Sequence, residues 1–227
     1  MIADFPTKVM VLVLLLFSVI LHELSHGAVA DANGDPTPRL AGRLTWNPLA
    51  HLDPLGTLFI VIIVFTNVPF FGWAKPVPIN PTYFRNYRKG MLMTALAGPF
   101  ANFSLLILFM GILYFMFINN APSGTGLAYV LALGMLINFM LMLFNLLPIP
   151  PLDGSKVLAQ FLSWKQQTKL YSLEAYGFII LIVLLMTGLL GKFLQVALLG
   201  FGWLTFNIFG KDFTVYLLDA ARIPFNG

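Results

Sequence analysis

Long stretches of the chain are apolar and contain no charged side chain. These uncharged runs cover residues 9–21, 54–74, 90–152, 175–191 and 193–210. A helix needs about 20 apolar residues to cross about 30 Å of hydrocarbon, so the runs predict membrane spans. We therefore expect an all-α polytopic membrane protein with about five transmembrane helices. The expected spans are 9–30, 91–117, 127–147, 175–190 and 193–209.

Three other segments are less regular. The apolar run 55–73 is interrupted by Asn67 and Pro69, which makes it the least certain span. Residues 40–46 alternate loosely between apolar and polar, which permits a short β-strand near the membrane edge. The tail 211–227 could lie along the membrane interface, because several of its apolar residues share one helical face. Those residues are Phe213, Tyr216, Leu217 and Leu218.

The composition supports the membrane interpretation and limits the kinds of metal site that the chain can form. The chain is 59% hydrophobic and 10% charged, whereas a soluble domain has about 25% charged residues. The net charge is +4, but Lys and Arg are scattered through the connecting segments, which is typical of membrane topology rather than of nucleic-acid binding. There is no cysteine. Thiolate metal sites are therefore excluded, and a metal would need His, Asp, Glu or Asn ligands.

The N-terminal segment has an alternative interpretation. Lys8, the apolar run 9–21 and the small residues 28–30 also suit a cleavable secretory signal. Cleavage there would remove the most chemically rich residues of the chain, so we favour a retained first span. Sequencing the mature N-terminus would distinguish the two.

The candidate chemistry is concentrated at the end of the first span. His22-Glu23-Leu24-Ser25-His26 contains two of the three histidines and one of the two glutamates of the chain. Residues four apart lie on one helical face, so both imidazoles can bind one Zn²⁺ while Glu23 acts on the attacking water. Ionisable side chains within a membrane span are costly and usually mark a functional site.

A hydrolytic zinc site needs a third protein ligand. The candidates are Asp153, His51, Asp53 and, less plausibly, Glu174. Asp153 is the best of them, because it follows the span 127–147 directly and is flanked by Pro151 and Gly154. His51 and Asp53 fit a structural role at the start of the 55–73 segment better than a metal role.

Three motifs together resemble the site-2 protease family, the intramembrane zinc metalloproteases of peptidase family M50. They are His22-Glu23-Leu24-Ser25-His26, Gly98-Pro99-Phe100-Ala101-Asn102, and the run from Asn145 to Gly154 with its prolines and Asp153. They occur in the family's order and cover residues 9 to 160. We see no inserted PDZ-like module and no nucleotide-sensing module, so the chain resembles a short form of the family, with one protease domain over 1–227.

The resemblance implies roles for individual residues. His22, His26 and Asp153 would be the zinc ligands, Glu23 the catalytic base and acid, and Asn145 a group that holds substrate or the developing oxyanion. Asn102 could contact substrate or the site, although a hydrogen bond between helices explains it equally well. The implied substrates are transmembrane proteins already trimmed by another protease, cleaved within or near the bilayer.

This set of three ligands constrains the membrane topology. The histidines and Asp153 both lie at the C-terminal ends of their spans, so those two helices must run parallel for one ion to reach them. One intervening segment therefore cannot cross, and we predict that 55–73 is a re-entrant hairpin. The loops 31–90 and 151–173 then share one side and hold most of the Lys and Arg. Positive loops mark the cytoplasmic face, so we expect a cell-membrane protein with its active site toward the cytoplasm.

Two functional alternatives use the same residues differently. A membrane metal transporter or metal-binding protein could employ the histidines and aspartate, but a transporter should show repeated halves and a polar path to both faces. A non-catalytic scaffold leaves Glu23 unexplained. Within the protease interpretation, residues 40–46 could bind an unwound substrate by strand pairing. The oligomeric state cannot be inferred from the sequence.

Overall fold

The apolar runs fold as helices, which satisfy their own backbone hydrogen bonds where water is absent. The computed structural model describes residues 5–66 and 73–222. Within these residues the chain forms ten α-helices and three short 3₁₀ turns, Pro48–Ala50, Pro81–Tyr83 and Glu174–Tyr176, and no β-strand. The helices are α1 Phe5–Ala32, α2 Thr37–Leu40, α3 Pro54–Thr66, α4 Tyr87–Ile118, α5 Gly126–Asn145, α6 Asp153–Ala159, α7 Trp164–Ser172, α8 Gly177–Met186, α9 Leu189–Phe209 and α10 Lys211–Ala220.

Five helical segments of the described chain are long and apolar enough to cross a membrane, as predicted. They are α1, α4, α5, α9 and the combined stretch Trp164–Met186, which includes α7 and α8. The fourth span thus begins and ends earlier than its predicted range, 175–190. The chain turns at Gly188, whose φ of 72° favours glycine, and not at Gly191 and Lys192 as the charge pattern suggested.

Helix α4 packs against both α1 and α5. Small buried residues on its inner face, among them Ala95, Ala97 and Gly98, allow this close approach. The N-terminal half of α4 therefore packs against the motif-bearing end of α1. Its C-terminal half packs against the start of α5 and against α10.

The chain after His51 forms a hairpin whose two ends lie side by side, at the same level of the helix bundle. Helix α3 has 13 residues within the described chain, or about 20 Å at 1.5 Å per residue, which is less than the hydrocarbon thickness of about 30 Å. At its far end Lys8 Nζ donates to Phe65 O. On the return arm Trp73 packs against Phe59, and Lys75 N donates to His51 O at the entrance. The re-entrant topology is as predicted; Asn67 and Pro69 lie outside the described residues.

Residues 40–46 do not form the strand that their alternation permits. Leu40 ends α2, Gly42 has a φ of 65°, and Arg43 N donates back to Pro38 O. The chain therefore folds back against α2 instead of forming an extended strand. A substrate strand has no preformed β-edge at this segment.

Helix α10 has the predicted apolar face, but that face covers protein. Phe213 is fully buried, and its ring contacts Tyr114 and Phe117 of α4 at centroid distances of 5.2 and 5.5 Å. Asp219 accepts a hydrogen bond from Ser123 in the turn between α4 and α5. The tail thus closes the end of the bundle opposite the histidine motif; residues 223–227 lie outside the described chain.

Candidate metal centre

The two histidines of α1 face inward, next to each other. His22 and His26 are both 6% exposed, and their Nε2 atoms lie 3.0 Å apart. This arrangement follows from their spacing, since four residues bring two side chains onto one helical face. The end of α1 therefore presents a pair of imidazole nitrogens at a single point.

Asp153 completes the group from the opposite side. Its Oδ2 lies 3.2 Å from His22 Nε2 and 3.0 Å from His26 Nε2. Asp153 is the first residue of α6, and the start of α6 lies against the backbone at the C-terminal end of α5. This approach requires glycine at the next position, because a Cβ on Gly154 would collide with the carbonyls of Leu146 and Leu147.

The charge state of Asp153 suits a metal ligand, which must be deprotonated. Burial alone would raise the pKa of this carboxyl group. While the Nε2 atoms carry protons, the His26 charge, hydrogen bonds from both imidazoles and the Lys156 charge outweigh burial and lower the pKa of Asp153 well below the ordinary value; a bound cation would take the place of these protons. Lys156 Nζ lies 3.2 Å from the second carboxylate oxygen, Oδ1. Asp153 is therefore a carboxylate, with Oδ2 directed at the histidines.

The outer nitrogens of both imidazoles are held by a second set of contacts. His26 Nδ1 lies 2.6 Å from the carbonyl oxygen of Thr94, which can only accept, so this nitrogen carries the proton. His22 Nδ1 lies 2.6 Å from Asn102 Oδ1. Such outer contacts orient imidazoles toward a metal.

Gly98 forms the floor of the group. A Cβ at this position would lie 2.6 Å from His22 Nε2 and would also collide with His26. Hydrogen is therefore the only side chain that leaves both nitrogens in place. The backbone of α4 can approach the histidines only because residue 98 is glycine.

The residues present fit a zinc ion. Among residues 5–66 and 73–222, His22, His26 and Asp153 form the single group whose ligand atoms lie close enough for one metal, all within 4.8 Å of each other. Two ligands at about 2.0–2.1 Å from a tetrahedral zinc lie roughly 3.3 Å apart. The separations of 3.0 to 3.2 Å in this group match that value closely.

Glu23 lies beside this group and not in it. Its carboxylate is partly exposed, and Oε2 accepts a hydrogen bond of 3.1 Å from Val77 N. The extended segment 75–77 is held in turn by Arg43, which donates to the carbonyl oxygens of Lys75 and Pro76. The sequence analysis did not identify Val77 and Arg43, because no local pattern signals the contact between Val77 and Glu23, which are 54 positions apart, or the contacts of Arg43 with residues 32 and 33 positions away.

The other candidate ligands lie elsewhere. His51 is fully buried, and its Nε2 lies 2.9 Å from Thr45 O. Asp53 accepts from Gly56 N at the start of α3. Both thus have the structural role expected at the entrance of the hairpin. Glu174 is exposed in the turn before α8.

The two asparagines of the motifs differ in their surroundings. Asn145 is partly exposed, and its amide donates to Leu141 O of its own helix. Asn102 is fully buried, and its amide donates to Asn138 Oδ1 on α5 at 2.9 Å. Asn102 therefore bonds both the site and a neighbouring helix, and its burial argues against the contact with substrate that the sequence also allowed.

Comparison with known proteins places the chain in a family. The model of peptidase family M50 matches residues 115–188. "Putative zinc metalloprotease YwhC" of Bacillus subtilis is 36% identical over 193 residues, which are 82% of this chain and 84% of that protein. The chain belongs to peptidase family M50. Its resemblance to the site-2 proteases is thereby confirmed, and an M50 peptidase is favoured over the metal transporter.

Other relatives of this M50 peptidase are longer. "Putative zinc metalloprotease Rip2" of Mycolicibacterium smegmatis is 34% identical over 78% of the chain, which covers 66% of that protein. "Zinc metalloprotease MJ0392" of Methanocaldococcus jannaschii is 29% identical over 86% of the chain, which covers 43% of that protein. No solved structure matches the chain.

Proposed function

We propose that this M50 peptidase is an intramembrane zinc endopeptidase in which His22, His26 and Asp153 bind the metal and Glu23 transfers protons. The observation that carries the proposal is the meeting of three buried ligand atoms within 4.8 Å. They come from the first span and from the loop after α5. Burying a carboxylate is costly unless its charge is balanced. Lys156 pairs with Oδ1 of Asp153, and a cation shared with the two imidazoles would balance Oδ2.

The chain's own residues supply the proton transfers and the orientation. When bound, zinc provides a Lewis acid that activates water near neutral pH and polarises the scissile carbonyl. The Glu23 carboxylate takes the proton of the attacking water and delivers it to the leaving nitrogen. The Val77 amide holds Oε2 of this carboxylate at 3.1 Å, which limits its rotation. Asn145, at the end of α5, is the candidate to bind substrate or the developing oxyanion.

The substrates are membrane-spanning segments of other proteins, cleaved near the cytoplasmic face. Five helical segments are suited to the bilayer, and His22 and His26 lie in the first of them, so a soluble protein has poor access to the site. The loops on the side of the site contain most of the Lys and Arg, which supports a cytoplasmic location. The re-entrant hairpin gives the parallel arrangement of α1 and α5 that this location requires.

Glu23→Gln tests the assignment in the intact protein, purified in detergent. The variant should keep the zinc content of the wild type and lose cleavage of a transmembrane peptide by about 10²–10⁴-fold, since an amide cannot accept the proton. Zinc is measured by elemental analysis and cleavage by mass spectrometry of the fragments. His22→Ala should lose both.

Glu174→Gln is the matched control, because Glu174 is the other glutamate and is exposed outside the site. It should keep zinc and cleavage. Wild-type turnover by Glu23→Gln would refute the proposal, as would unchanged zinc content in His22→Ala. Fragments that accumulate in membranes containing active protein, and not Glu23→Gln, would identify the substrates.

A further inference from the structure

A line of buried polar side chains leads away from the metal centre. It joins His22 and Ser18 on α1 to Asn102 on α4 and Asn138 on α5. Ser18, Asn102 and Asn138 are fully buried. Buried polar groups without partners are costly, so the direction of each hydrogen bond in this line is constrained by its neighbours.

The directions of these hydrogen bonds are set by a backbone carbonyl oxygen, which can only accept. Asn138 Nδ2 lies 2.8 Å from the backbone carbonyl of Gly134 and 2.9 Å from Ser18 Oγ. A carbonyl oxygen only accepts. The amide nitrogen of Asn138 must therefore face Gly134, and its Oδ1 must face α4.

The orientation of Asn138 then determines that of Asn102. Asn138 Oδ1 accepts from Asn102 Nδ2 at 2.9 Å, so Asn102 Oδ1 faces His22 Nδ1 at 2.6 Å. Because this oxygen can only accept, His22 carries its proton on Nδ1. The lone pair of Nε2 is then directed at His26 and Asp153. If Asn102 were flipped, its N–H would face Nδ1 and favour a proton on Nε2, which could not bind a metal.

We propose that Asn138 is a positioning residue of the metal centre, whose carboxamide acts through Asn102 to fix the zinc-binding tautomer of His22. The inference rests on the proposed function, because it assumes that His22 binds zinc. It gives a role to a residue of α5 that touches neither the metal ligands nor Glu23. Ser18 supports the same orientation by accepting the second proton of the Asn138 amide.

The test is the zinc affinity of Asn138→Leu, measured on full-length protein in detergent by competition with a chromogenic chelator. Leucine has a similar size and frees Asn102 to flip. Loss of such an outer partner typically weakens metal binding by 10–100-fold, and we expect a weakening of about this size. Thr205→Val is the matched control, since Thr205 is 2% exposed and bonds to its own helix at Gly202. It should keep wild-type affinity.

A rescue variant separates the tautomer from packing. Aspartate at position 102 presents only acceptor oxygens to His22, whichever way it is turned. Adding Asn102→Asp to Asn138→Leu should therefore restore zinc affinity to within a few-fold of the wild type. A purely structural role of Asn138 predicts no rescue. Unchanged affinity in Asn138→Leu, or loss of affinity without rescue, would overturn the inference.

Thermal unfolding of each zinc-free variant shows whether it is folded. If Asn138→Leu does not fold, Asn138→Ala replaces it, because it removes the same carboxamide without adding a branched side chain. The same loss of zinc affinity is then expected, and unchanged affinity overturns the inference. Failure of the proposed function is distinguishable, since wild-type protein would then bind no zinc through His22.

Discussion

The two ends of the α4 and α5 pair are both buried, but they are held together in different ways. At one end, His22, His26 and Asp153 meet through contacts of 3.0 to 3.2 Å. At the other end, the ring of Phe213 packs among those of Tyr114 and Phe117. The first end depends on the position and direction of single atoms. The second depends on filled apolar volume.

This difference predicts how each end responds to substitution. Hydrogen-bonded and metal-binding groups lose function when an atom moves by less than its own radius, because each bond has a required direction. Apolar packing has no required direction, so its loss costs stability and leaves distant geometry intact. Changes at the metal end should therefore affect zinc and catalysis, and changes at the α10 end should affect unfolding.

The largest effect is expected for Gly98→Ala. A single methyl group would lie 2.6 Å from His22 Nε2, closer than any van der Waals contact, so the imidazoles must leave the ligand position. We expect zinc content near zero and cleavage at background, measured by elemental analysis and peptide hydrolysis. Gly111→Ala in the same helix is the control, since a Cβ there meets nothing within 4 Å. Normal zinc content in Gly98→Ala would show that the metal end tolerates displacement.

The next effect is expected at the opposite end, for Phe213→Ala. Removing a fully buried ring typically costs about 3–5 kcal/mol, and Phe213 is 0% exposed. The free energy of unfolding in detergent should fall by about this amount, while zinc affinity and turnover of the folded protein stay unchanged. Val215→Ala, at a position that is 37% exposed on the same helix, should be nearly neutral. A folded Phe213→Ala protein with weakened zinc binding would show that the two ends are coupled.

At the metal end, the sequence identifies the candidate ligands because they are either close together in the chain or of a rare residue type. The two histidines are four residues apart on one helix, and Asp153 is the only carboxylate between Asp53 and Glu174. The spans follow from apolar length alone. The re-entrant hairpin follows from the requirement that α1 and α5 run parallel, and the return of Trp73 to Phe59 and of Lys75 to His51 agrees with it.

What the sequence does not predict depends on contacts between distant segments. A glycine within a span indicates only close helix packing, whereas the structure places Gly98 against both imidazoles. An asparagine within a span, such as Asn138, indicates only a hydrogen bond between helices, because its link to His22 passes through Asn102. The short strand that alternation permits at 40–46 does not form, since alternation leads to a strand only where a partner strand exists. The apolar face of α10 was predicted, but not the protein surface that it covers.

The smallest effect is expected for Arg43→Lys, which tests how finely Glu23 is positioned. Arg43 is 6% exposed, and its guanidinium donates to the carbonyls of both Lys75 and Pro76. Val77 is the only amide donor of residues 76–78, because its neighbours are prolines. Its bond to Glu23 therefore depends on the position in which Arg43 holds this segment. Lysine cannot reproduce the two-pronged contact.

We expect Arg43→Lys to lower kcat by about tenfold, equivalent to about 1.4 kcal/mol, with zinc content unchanged. Arg39→Lys is the matched control, because Arg39 lies nearby in α2, is exposed, and pairs only at the surface with Asp31. Its kcat should equal that of the wild type. If Arg43→Lys lost zinc as well, the segment 75–77 would belong to the metal-binding scaffold. If its kcat were unchanged, Glu23 would need no support from Val77. Precise atomic positions would then matter only for His22, His26 and Asp153.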